Sequence, residues 1–129
     1  MEKITKSEMV QAHCVILKIN QKTVDSKGGD VYKAARYAWN VGRERVEELN
    51  ATPNGLILAV VDGVVKGVYT NAKWKKVTEY TDEKDKDRYE FDAVEADQAT
   101  KDKFMEKHID DYYRRPGMAN SKVYTWEQA

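Results

Sequence analysis

The side chains with binding chemistry in this chain are aromatic and cationic, and they come interleaved. Trp74 stands among Lys73, Lys75 and Lys76, and a ring face bordered by ammonium groups can stack on a nucleobase while holding the adjoining phosphates. Tyr32, Arg36 and Trp39 recur at four- and three-residue spacing. On a helix they form one stripe, with a guanidinium within reach of two rings. Arg43 and Arg45 near the start of a following helix, Arg88 on a strand, and Arg114 and Arg115 beside Pro116-Gly117 add candidate phosphate contacts. Each has a plainer structural role open to it. Arg36 can pack on helix-surface aromatics, Arg43 and Arg45 can be solvated helix charges, and Arg88 can pair with Glu90 or Asp92. Trp74 can close an edge strand whose lysines deter edge pairing.

Catalytic constellations have less support. His13 and His108 are the two histidines and Cys14 the one cysteine, with no HExxH or CxxC spacing, so no metal site is expected. Neither a P-loop nor a G-x-G-x-x-G turn occurs, and no cofactor is expected. The acids between Asp82 and Asp97 offer no basis for choosing a general acid and base.

The 129 residues, 41% hydrophobic and 34% charged, have the balance of one soluble globular domain spanning 1–129. Formal net charge is zero, so the overall cationic excess of many nucleic-acid binders is missing. Distribution is uneven. From Lys66 to Lys76 there are four lysines and no acid, whereas Glu79 to Asp97 carries nine acids against three bases. A basic and an acidic face are expected, the acidic one suited to a protein partner. One cysteine within an apolar run points to a reducing compartment. The start of the chain lacks the apolar core of a secretory signal and no apolar run reaches spanning length, so a cytoplasmic location without membrane attachment is expected.

The elements follow from pattern. Val15 to Ile19 reads as a strand, ended by a polar stretch from Asn20 to Gly29. Asp30 is a good N-cap for a helix over Val31 to Trp39, and Val46 and Leu49 suggest a second from Arg43 to Leu49. Leu56 to Tyr69 reads as a hairpin turning at Asp62-Gly63, its first strand apolar on both faces, with Gly67 marking a bulge or close approach. The Trp74 segment is too polar for a core strand. After a charged loop over Thr81 to Asp87, Arg88 to Ala96 alternates as a strand. Asp97 caps a helix to about Ile109, and Val123 to Trp126 forms the last strand. The class is α+β, without the alternation of a doubly wound sheet.

Taken in order, the series from Asp30 through Trp39, Arg43 and Arg45, the hairpin of Leu58 to Tyr69, Trp74, Arg88 to Phe91 and Tyr113 to Asn120 resembles small bacterial and phage domains of PUA-like character, akin to the ASCH and EVE domains. The resemblance covers about Asp30 to Tyr124. It implies a curved, mostly antiparallel, β-barrel-like sheet flanked by two to three helices, with a cleft that in relatives binds RNA or a modified nucleobase. Many domains with this pattern have no known activity. Ser121 follows Asn120 where the pattern has Pro, and the acidic loop is an addition. The expected function is non-enzymatic binding of RNA or of single-stranded or modified DNA. The expected surface comprises Tyr32, Arg36, Trp39, Arg43, Lys66, Trp74, Lys75, Arg88, Arg114, Arg115 and Asn120. The alternatives are a protein-interaction module using the acidic face and a pocket for a nucleotide-like small molecule.

Overall fold

Strands β1 (Cys14–Ile19) and β2 (Leu56–Val61) lie at the middle of the molecule because both are apolar on alternate faces. In the computed structural model, which describes residues 2–52, 55–114 and 121–128, Val15, Leu17, Ile57, Ala59 and Val61 enter one core and Cys14, Ile16, Leu58 and Val60 another. A strand covered on both sides needs no polar face. The two strands run parallel, which requires a long crossover. It is made by three helices, α2 (Gln21–Ser26), α3 (Val31–Arg36) and α4 (Arg43–Asn50), which bring Val24, Ala34, Ala35, Val46 and Leu49 onto the first face. Helices α1 (Lys6–Gln11) and α5 (Gln98–Phe104) cover the other through Met9 and Phe104, beside Ile109 and Tyr113.

The sheet has the order β4-β3-β2-β1-β5, completed by β3 (Val64–Lys76), β4 (Tyr89–Glu95) and β5 (Lys122–Tyr124). Three of its four pairings are antiparallel. With β4 and β5 at its two edges the sheet is open, which corrects the barrel-like closure expected, and the described residues carry five α-helices rather than two or three.

The Asp62-Gly63 turn is as expected, with φ of 51° and 79°, the pair of left-handed residues a type I′ hairpin needs. Gly67 adjoins a bulge. Val60 pairs with Val65 and Ala59 with Gly67, leaving Lys66 as the extra residue. A Cβ at Gly67 would lie 2.8 Å from Tyr69 Cζ, so the ring needs this glycine.

Five expected boundaries move. The polar stretch after Asn20 contains α2, capped by the Asn20 side chain accepting from Thr23 N–H at 2.7 Å. Helix α3 begins at its Asp30 cap as expected but stops at Arg36, because Tyr37 is extended and Trp39 pairs with Tyr89 of β4. The Trp74 segment is strand: β3 continues through it to Lys76. Helix α5 ends at Phe104, after which Glu106 and Lys107 hydrogen-bond to Val65. The last strand is followed by a 3-10 turn over Thr125–Gln128.

Candidate nucleic-acid interface

Tyr32 and Arg36 share a side of α3, but Trp39 lies beyond its end, so the expected helical stripe is broken, and all three residues meet the backbone of β4. Strand β4 is a sheet edge, and edge strands present rows of open N–H and C=O groups. Here Trp39 exchanges two hydrogen bonds with Tyr89, at 2.8 and 3.0 Å. Arg36 Nε donates to the Phe91 carbonyl at 3.1 Å, and the Tyr32 hydroxyl accepts from Ala93 N–H at 2.9 Å. Residues 89, 91 and 93 all point the same way along the strand, so one helix and its extension seal the edge. The Trp39 indole donates to the Ala35 carbonyl at 2.6 Å.

Arg36 also reaches the acids of β4. Its guanidinium lies 2.7 Å from Asp92 and 3.6 Å from Glu90, while Lys75 Nζ lies 3.0 Å from Asp92 and 4.0 Å from Glu90. Burial lowers the Arg36 pKa, but the Asp92 hydrogen bond and the Glu90 charge outweigh it and raise the value. The hydrogen bond from Lys75, then that from Arg36, hold the Asp92 carboxyl below its ordinary range. Glu90 is buried at 8% exposure between the two cations. Other acids of the 79–97 segment also meet cations: Asp85 contacts Arg88, Asp87 contacts Lys76 and Glu95 contacts Lys101.

Trp74 is placed in the core. At 5% exposure it packs on Phe91 with ring centroids 4.9 Å apart. The expected stacking face is therefore covered, for a geometric reason: β3 outruns β2, and α4 fills the space beyond. Asn50 of α4 takes the place of a missing strand, its Oδ1 accepting from Trp74 N–H at 2.7 Å and its Nδ2 donating to the Trp74 carbonyl at 3.1 Å.

The remaining candidates are spread over the molecule. Arg88 donates to the Ala38 carbonyl at 3.4 Å, close to Trp39. Arg43 lies 3.5 Å from Glu47 on the exposed side of α4, and Arg45 contacts Glu48 and Glu127. Lys66 pairs with Glu106 at 2.8 Å near the hairpin turn, about 30 Å of strand away from Lys75. Arg114 sits over Gly63, in a separate hollow of about 290 Å³. Arg115 and Asn120 lie outside the described residues.

A concavity the sequence reading missed adjoins Arg36. About 540 Å³ in volume, it is lined by Lys27, Lys33, Arg36, Tyr37, Glu79, Tyr80 and Thr81. Its ring faces are Tyr37 and Tyr80, the latter 38% exposed, and Lys27 Nζ lies 5.6 Å from the Tyr37 ring centre. The Tyr37 hydroxyl donates to Asp85 at 3.2 Å; burial, then the Asp85 charge, push its pKa up, so the ring stays neutral at physiological pH. These residues come from three separate segments, and Tyr37 joins them only because α3 stops one residue before it. The sequence signal for it was a tyrosine, Tyr80, set among polar residues between Glu79 and Thr81.

The described residues contain no group of three or more His, Cys, Asp or Glu able to hold a metal ion. Cys14 is fully buried, and burial raises its thiol pKa to about 12, far from a reactive thiolate. No described helix is long and apolar enough to cross a membrane. No family model, curated protein or solved structure matches the chain.

Proposed function

We propose that this protein is a non-enzymatic cytoplasmic module of PUA-like character that binds single-stranded nucleic acid, RNA or unpaired DNA, in the hollow beside α3. The observation that carries this reading is the lining: three cations, two tyrosines and one carboxylate around about 540 Å³. That volume falls within the range of about 300–1,000 Å³ for ligand pockets and suits one or two nucleotides. Tyr80 and Tyr37 supply ring faces for stacking, each base adding about 1–3 kcal/mol. Lys27 and Lys33 meet the phosphates, while Arg36, tied to Asp92 and Glu90, acts as a fixed positive wall. Of the surface expected from sequence, Arg36 alone among the described candidates lines this hollow; Tyr32, Trp39, Trp74, Lys75 and the others lie outside its lining. The residue series from Asp30 to Tyr124 supports the PUA-like reading.

Fluorescence anisotropy with labelled single-stranded RNA and DNA tests this. Two neutralised phosphates give a slope of log affinity against log salt of about −1.4. Tyr80→Ala weakens binding by about fivefold or more, from the loss of one stacked base, and Lys33→Glu flattens the salt dependence. Titrations that stay flat for RNA, single-stranded DNA and modified duplexes alike refute the proposal. A partner recovered equally with and without nuclease treatment would favour a protein-interaction role instead.

A further inference from the structure

Glu79 is the one carboxylate in the lining of the hollow beside α3, which it shares with Lys27, Lys33 and Arg36. Among the described residues its side chain makes no ion pair and no hydrogen bond, although cations line the same space. Three acids that follow it are committed elsewhere. Asp82 accepts from Lys84 N–H at 3.1 Å as the cap of a 3-10 turn over Glu83–Asp85, Asp85 accepts from the Tyr37 hydroxyl, and Asp87 lies 3.7 Å from Lys76. The backbone carrying Glu79 is held on both sides. Before it, Val77 is buried at 5% exposure and donates to the Arg88 carbonyl at 3.0 Å; after it, the turn is tied to Tyr37 through Asp85. Glu79 and Tyr80 therefore line the hollow from a wall anchored to the residue that follows α3.

What such a group accepts decides which base fits beside it. An ionised carboxylate accepts hydrogen bonds through two oxygens and donates none. Unpaired bases are read on their Watson–Crick edges. Guanine presents two adjacent donors there, N1–H and the 2-amino group, which match the two carboxylate oxygens in a charge-assisted pair. Adenine and cytosine set one donor beside a ring nitrogen whose lone pair a carboxylate repels, and uracil sets its single N–H between two carbonyls. Guanine O6, next to N1–H, is in turn an acceptor for the cations of the same lining. On the single-strand reading of this hollow, from which this follows, we infer that the site selects guanine and that Glu79 makes the choice by accepting from N1–H and the 2-amino group. Tyr80 and Tyr37 stack on any base, so the rings supply affinity without choosing.

The test is a set of anisotropy titrations at constant ionic strength with labelled RNA strands, each a short run of uridines carrying guanine, hypoxanthine, adenine, cytosine or uracil at its centre. The guanine strand is expected to bind about tenfold tighter than the adenine, cytosine and uracil strands. Hypoxanthine keeps N1–H and lacks the 2-amino group, so its strand falls between. Glu79 is exposed, so Glu79→Gln leaves the fold intact. It brings the guanine strand to within about threefold of the others, while the all-uridine strand binds unchanged or tighter because a negative charge has gone. Tyr80→Ala weakens every strand. Guanine and adenine strands that bind within about twofold of each other, or a guanine preference that survives Glu79→Gln, overturn the role of Glu79; the single-strand site itself then stands if Tyr80→Ala still weakens binding. Flat titrations with all the strands overturn both.

Discussion

Asn50 offers a sharp test of how this sheet is finished. Its side chain makes two hydrogen bonds to the backbone of Trp74, a residue 5% exposed, where β3 has no strand partner on that side. Asn50→Ala removes both and leaves an N–H and a C=O without partners in a place water reaches poorly. Each such group costs about 1–3 kcal/mol, and partial burial of the pair argues for a total of about 2–4 kcal/mol. A domain of 129 residues has an unfolding entropy near 0.27 kcal/mol per kelvin, so Tm falls by about 7–15 °C. Asn50→Asp separates hydrogen bonding from packing. The carboxylate still accepts from Trp74 N–H but opposes the Trp74 carbonyl, which raises the folded-state pKa above the unfolded one. The penalty is then full above the folded pKa and shrinks as pH falls towards the unfolded pKa, where the protonated acid donates as the amide did. Urea unfolding of wild type and both variants at pH 7 and pH 4.5 reads this directly. A cost for Asn50→Ala below about 0.5 kcal/mol, or an Asn50→Asp deficit equal at the two pH values, refutes the reasoning.

Trp74→Ala is expected to destabilise by about 3–5 kcal/mol, read as a lower urea midpoint; an unchanged midpoint would mean that the indole contributes no core packing. Tyr32→Phe strips the acceptor from Ala93 N–H and should cost about 1 kcal/mol, with faster hydrogen exchange at Ala93 as its local signature; unchanged exchange would contradict edge sealing. The Cys14 thiol, its pKa raised to about 12 by burial, should resist Ellman's reagent in the native state and react once the protein is unfolded; rapid native reaction would count against its buried position.

What could be read in the chain alone was whatever local chemistry decides. The hairpin at Asp62-Gly63 followed from the backbone freedom of its residues, the start of α3 from the Asp30 cap, and the double coverage of β2 from an unbroken apolar run. The Tyr32 and Arg36 pair was also legible, because a four-residue spacing on a helix places side chains near one another whatever they touch, whereas Trp39 lies beyond the end of α3. Its partner was not legible. Whether a guanidinium meets a phosphate or the Phe91 carbonyl depends on which strand ends at the sheet edge, and that is a matter of strand order.

The same limit explains Trp74. Three flanking lysines made its segment look too wet for a core strand, yet alternation sends the lysines outward while the indole meets Phe91 under α4. Sequence determined the strands, caps and turn of this protein, since those energies arise within a few residues. Tertiary structure alone decided that the sheet stays open, that α3 yields Tyr37 and Trp39 to the β4 edge, and that Lys18 and Arg114 share a hollow. Those outcomes depend on contacts between residues up to about a hundred positions apart, whose pairing no local pattern encodes.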